Sequence, residues 1–122
     1  MTSVCVIGIY VDDIEKAVEF YCEKLGFREA ERYDNDCIVR LENEGPPVIL
    51  EKVDNPSSAK FPGHSQVVLG IETDDIDARY AELKAKGIEF VQDEPEVFVA
   101  GRFAAMRDPA GNYLELIQFR EG

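Results

Sequence analysis

The chain repeats itself. Residues 4–27, VCVIGIYVDDIEKAVEFYCEKLGF, and residues 65–90, SQVVLGIETDDIDARYAELKAKGIEF, carry an apolar strand, a double Asp and an amphipathic helix in the same order. The offset is 62 residues, from Asp13 to Asp75, so two copies divide the 122 residues nearly in half. A period this long exceeds that of solenoid repeats and points to an internally duplicated fold. Each copy must hold more than one hairpin, while the whole has the size of one ordinary domain.

Residues 4–11 are rich in β-branched side chains and read as a strand. Cys5, Ile7, Ile9 and Val11 fall on one face, and Val6, Gly8 and Tyr10 on the other. Asp12 is placed to cap the following helix, with Glu15 three residues on, and the acids there suit the positive end of the helix dipole. Ile14, Val18, Tyr21 and Leu25 form its inward stripe, and Gly26 stops it. Strands follow at residues 28–33, 37–41 and 48–53, parted by the turn sequences DND and NEGPP.

The second copy keeps that order. A strand at residues 66–72 leads to a helix over about residues 75–86 with Ile76, Tyr80 and Leu83 inward and Gly87 as its stop. Strands then fit residues 89–91, 102–107 and 113–119, the last two joined by the turn DPAGN. The expected layout is module one over about residues 1–54, a Pro- and Ser-containing linker over about 55–65, and module two over about 66–122, all in one domain.

With 13 Lys plus Arg against 25 Asp plus Glu, the net charge of −12 disfavours nucleic acid and anionic membrane surfaces as partners, since no basic patch offsets it. No apolar run approaches the roughly 18 residues of a membrane span. The first residues lack the pattern of a secretory leader, so a cytoplasmic location is expected. Cys5, Cys22 and Cys37 match no zinc or disulfide spacing and read as small buried thiols. His64 is the only His, which leaves a Ser-His-Asp or Cys-His nucleophile without support.

Four motifs stand in a fixed order: a strand ending V-x-D, Glu19-Phe20-Tyr21, Leu25-Gly26-Phe27, and RDPAGNYLEL over residues 107–116. Together they resemble the glyoxalase/bleomycin resistance protein/dioxygenase superfamily, also called vicinal oxygen chelate, over nearly the whole chain. The resemblance implies an α+β fold of two tandem βαβββ modules whose sheets form a cup, in a homodimer. A four-stranded sheet with a single helix agrees, because it leaves one face uncovered.

In metal-dependent members, a His, Gln or Glu on the first strand of each module and a Glu on the last bind the ion. The resemblance carries the first-strand positions onto Val6 and Val68, which have no donor, and the last-strand position of module two onto Glu115. In module one it falls on Glu51 or Leu50, depending on register. Hydrocarbon at both first-strand positions removes the electrophile of a glyoxalase reaction, and one His cannot furnish the two that a non-haem iron dioxygenase needs. His64 lies four residues too early to stand in as a ligand. Asp74, Asp75 and Asp77 read as helix-capping acids, not as a calcium loop.

The expectation is therefore a protein without a cofactor that binds a small organic ligand in the cup, a cationic one being a candidate. The residues expected to line it are Val6, Gly8, Tyr10, Val68, Gly70, Glu72, Arg102, Tyr113 and Glu115. Arg102 and Arg107 are alternatively expected to pair with Glu115 or with an anionic ligand. The alternative is a metal-dependent lyase or isomerase with Glu51 and Glu115 as ligands and Glu115 as catalytic carboxylate.

Overall fold

Strand β1 (Ile7–Val11) buries Ile9 and Val11 and exposes Gly8 and Tyr10, which is the alternation its sequence demands. The computed structural model describes residues 1–121 and divides into two units, Met1–Ser58 and the chain from Ala59 onward. In the first unit, β1 leads to a helix that begins as α1 (Ile14–Val18) and continues as a π-helical stretch over Glu19–Lys24. Strands β2 (Arg28–Tyr33), β3 (Ile38–Glu42) and β4 (Val48–Lys52) complete a sheet of order β1-β4-β3-β2. β1 runs parallel to β4 and the other pairs are antiparallel. Ile9, Val11, Val39, Leu41, Val48 and Leu50 form its buried face, together with Ile14, Ala17, Phe20, Tyr21 and Leu25 of the helix.

Two details of this helix depart from expectation. Its cap is Asp13, not Asp12: the Asp13 carboxylate accepts from the Lys16 backbone N–H at 3.1 Å. Its inward stripe takes in Ala17 and Phe20 in place of Val18, which is half-buried. The π winding explains the second, because wider i→i+5 spacing, seen in the 3.0 Å bond from Leu25 N–H to Phe20 C=O, sends both Phe20 and Tyr21 inward.

Glu15, freed from capping, binds Arg32 at 2.7 and 3.2 Å, and Arg32 also holds Glu29 at 2.7 Å. A bulge in β2 between Glu29 and Glu31 puts Glu29 and Arg32 on the helix side of the sheet. The Arg32 hydrogen bonds hold the Glu15 carboxyl below its ordinary 4.5. With the folded value below the unfolded one, the pair stabilises above that range and its contribution is lost as pH falls through the lowered value. The Glu15→Gln variant should melt slightly below the parent at neutral pH, the effect being small for an exposed pair. Thermal melts along an acid series should show the gap closing, and a gap that persists in acid would contradict the linkage.

The second unit repeats the design. β5 (Leu69–Glu72) leads to α2 (Ile76–Ala85), followed by β6 (Glu89–Phe90), β7 (Glu96–Phe98), β8 (Gly101–Arg107) and β9 (Tyr113–Phe119). The sheet order is β5-β9-β8-β6, with β5 parallel to β9 and β7 paired beside β6 on β8. Asp75 caps α2 through the Ala78 N–H at 3.1 Å, and Ile76, Tyr80 and Leu83 are buried as the sequence indicates. They are buried with Ala104, Met106, Leu114 and Leu116 of the sheet. Strand β7 was not expected. No helix among the described residues is long and apolar enough to cross a membrane.

Candidate functional site

In each unit the helix covers one sheet face, and the candidate residues were read from the parity of the other. In the first unit Gly8 pairs with Ile49 and Tyr10 with Glu51, so all four share the face away from the helix. Val6, just ahead of β1, continues that parity and is 43% exposed, while Tyr10 is 59% exposed. A Cβ built on Gly8 would meet nothing within 4 Å, so the floor there is open. The register question at β4 is answered: Leu50 is fully buried on the helix side, and Glu51 stands on the open one.

In the second unit, Gly70 pairs with Glu115 and Glu72 with Ile117, while Ala105 flanks Glu115 from β8 and Tyr113 pairs with Arg107. Gly70, Glu72, Tyr113 and Glu115 thus share the face away from α2, with Val68 one step before β5 in the same parity. Here the glycine is not vacant: its Cβ would meet Ile117 Cδ1 at 3.2 Å. Phe61, from the segment expected to be linker, stacks on Tyr113 at 5.7 Å between ring centroids. Glu115 is half-buried, and among the described residues no cation lies within ion-pair distance of it.

Arg102 corrects the expected set. Its cross-strand partner is Gln118, one residue out of parity with Phe103 and Ile117, so it lies on the helix side of the sheet. There its guanidinium binds Asp77 of α2 through two bonds of 2.8 and 2.9 Å, and these bonds hold the Asp77 carboxyl below its ordinary value. It pairs with neither Glu115 nor the face that Glu115 occupies. The ion pair instead walls a cleft of about 480 Å³ with Val97, Phe98, Phe119 and Arg120. Arg107 does lie in parity with Tyr113, but its nearest carboxylate is Glu89 at 4.0 Å.

His64 closes a turn, its Nδ1 accepting from the Lys60 N–H at 3.1 Å. The thiols are free, with Cys5 exposed and Cys22 and Cys37 half-buried, so the expectation of burial fails for Cys5, which precedes the first strand. Burial, with Glu29 and Glu23 nearby, pushes the Cys22 thiol up, away from the thiolate a nucleophile requires. The donors do not fit the metal that the resemblance implies. Val6 and Val68 have none, and among the described residues no three His, Cys, Asp or Glu side chains gather to hold an ion.

Reasoning from sequence missed Arg40. It stands on the open face of the first unit, paired across to Ile49 on β4 and Glu31 on β2, and its Nε is buried with no hydrogen-bond partner. The signal was available, since a cation stands between the apolar Val39 and Leu41.

Comparison with known proteins follows the same lines. The model of the Glyoxalase/Bleomycin resistance protein/Dioxygenase superfamily matches residues 4–116. The YurT protein of Bacillus subtilis (strain 168) is 28% identical over 128 residues, covering 95% of this chain and 98% of its own. Among solved structures, a glyoxalase/bleomycin resistance protein/dioxygenase from Nocardioides superposes with a TM-score of 0.77 at 25% identity, covering 100% of this chain and 86% of the other. TnmS3, an antibiotic binding protein from Streptomyces sp. CB03234, does so with a TM-score of 0.73 at 30% identity over 98% of both chains.

Proposed function

We propose, from the premise that this chain belongs to the glyoxalase/bleomycin resistance protein/dioxygenase superfamily, that it is a metal-independent binding protein which sequesters or senses a small organic molecule. The observation that carries this reading is the setting of Glu115. The carboxylate sits between Gly70 and Ala105 on a face where Ile117 and Tyr113 are its strand neighbours, and it has no cation within ion-pair distance among the described residues. A half-buried carboxylate on such a surface favours a cation, and the net charge of −12 draws one in. Likeness to TnmS3, which binds an antibiotic, supports binding over turnover. The same reading takes the protein to be a cytoplasmic homodimer.

The test uses protein purified without a metal-affinity tag and titrated with proflavine, a planar aromatic cation, in the presence of a chelator. Saturable binding is expected, and Glu115→Gln should weaken it about tenfold, as loss of one charged contact does. Elemental analysis that found one divalent ion per chain, or proflavine binding abolished by the chelator, would sink the reading and favour the lyase alternative with Glu51 and Glu115.

A further inference from the structure

On the open face of the first unit, Arg40 has the opposite charge to Glu115. Arg40 lies mid-sheet, where the row Gly8–Ile49–Arg40–Glu31 crosses all four strands. Among the described residues no carboxylate comes within ion-pair distance of Arg40. Of the acids on this face, Glu31 accepts from the Tyr33 hydroxyl at 2.6 Å and Glu42 pairs with Arg28, while Glu51 stands one row away on β4. The guanidinium borders the Tyr33 hydroxyl, a neutral partner that leaves its charge without a counter-ion. The buried Nε–H without an acceptor adds a second sign, since a buried donor left unpaired is costly and is normally satisfied.

Room and shape accompany the charge. A recess of about 160 Å³ opens beside Arg40, bounded by Glu42, Asn43, Gly45 and Pro47. Along the adjacent row stand Tyr10, Glu51, Ile38 and Tyr33, with Tyr33 40% exposed, so ring surfaces border the cation. Above Gly8 a Cβ would find nothing within 4 Å, which leaves the space over this floor free for a ring. The planar guanidinium fork matches a carboxylate or sulfonate edge, and flat apolar surface beside it suits an arene.

We infer that the open face of the first unit is a binding site for an aromatic oxyanion, anchored by Arg40 through its carboxylate or sulfonate group. The inference rests on the binding reading and deepens it, naming an anchor and a ligand class for the face on which Gly8 and Tyr10 stand. Neither Glu115 nor any residue of the second unit enters the argument.

The experiment titrates the full-length protein with anilinonaphthalene sulfonate, following its fluorescence, with proflavine run in parallel. Wild type should bind the sulfonate saturably, and Arg40→Gln should weaken it about tenfold or more while leaving the melting temperature and the proflavine isotherm in place. Arg40→Lys should fall between the two, because an ammonium keeps the charge and loses the fork. Glu115→Gln should not weaken sulfonate binding, since it removes a negative charge and no contact to an anion. Unchanged sulfonate affinity in Arg40→Gln overturns the inference, as does an equal loss in Glu115→Gln. Complete displacement of the dye by millimolar inorganic phosphate would overturn the aromatic class of ligand. Should Arg40→Gln melt early, Arg40→Lys decides: weaker dye binding at the parent's melting temperature supports the site, and parental affinity removes it. Absence of proflavine binding with intact sulfonate binding would fail the Glu115 reading alone.

Discussion

Replacing Gly101 by alanine should unfold the second half of the chain under conditions where the parent is native. Gly101 opens β8 at φ 156°, where it faces Phe98 on one side and Phe119 on the other. A Cβ there would lie 2.0 Å from the Gln118 carbonyl oxygen and 2.9 Å from both the Arg120 nitrogen and the Phe119 Cα. All three are backbone atoms, two in β9 and one in the residue that follows it, so no side chain can swing aside. Relief requires parting β8 from β9, the longest ladder in the sheet and the one that carries Glu115. Backbone strain and a lost ladder together put the cost at about 3 kcal/mol or more. Chemical denaturation of Gly101→Ala beside the parent measures it, and a difference within about 0.5 kcal/mol, the range of neutral surface changes, would contradict it.

Asp108→Ala should be nearly as damaging. Asp108 is 2% exposed at the head of the turn that joins β8 to β9. One carboxylate oxygen accepts from the Ala110 and Asn112 backbone N–H groups at 2.9 and 2.8 Å, and the other from the Asn112 side-chain amide at 3.0 Å. Truncation leaves these donors without the acceptor that the turn was built around, at about 1–3 kcal/mol for each buried one. Asp108→Asn keeps one acceptor oxygen and should recover part of the loss. Since the turn sets the register that pairs Ala105 with Glu115, proflavine affinity should fall with stability in the alanine variant. Parental stability with Ala at position 108 would show that the turn is held by its glycine and proline alone.

Much of this architecture is legible in the sequence because its signals are strong and local. Asp75, the Ile76-Tyr80-Leu83 stripe and Gly87 each say the same thing about α2, and the structure agrees at every one. Where two residues offer the same chemistry the reading slips by one: Asp12 and Asp13 can both cap a helix, and only the backbone, extended at Asp13, decides. Strand β7 was hidden by the acidic, Pro-containing QDEP that precedes it, and it exists through tertiary pairing with β8. Arg102 was misplaced for a different reason. Charge suggested a partner for Glu115, whereas strand parity, which follows once the β8–β9 turn is known, assigns Arg102 to α2. Arg40 shows the opposite case, a cation between Val39 and Leu41 whose place on the open face follows from strand parity alone.

The π-helical stretch answers a difference in spacing between the two copies. The capping residues Asp13 and Asp75 are 62 apart, but the glycines that end the helices, Gly26 and Gly87, are 61 apart. One copy therefore carries a single extra residue between cap and stop. An added residue in an α-helix would rotate everything beyond it by about 100° and turn Leu25 and β2 away from the sheet. Winding Glu19–Lys24 more widely absorbs it on the spot, so both helices still end on a glycine of left-handed φ, 96° and 90°. The one-residue mismatch between the two halves is thus confined to a single turn of helix, and the sheet downstream never has to register it.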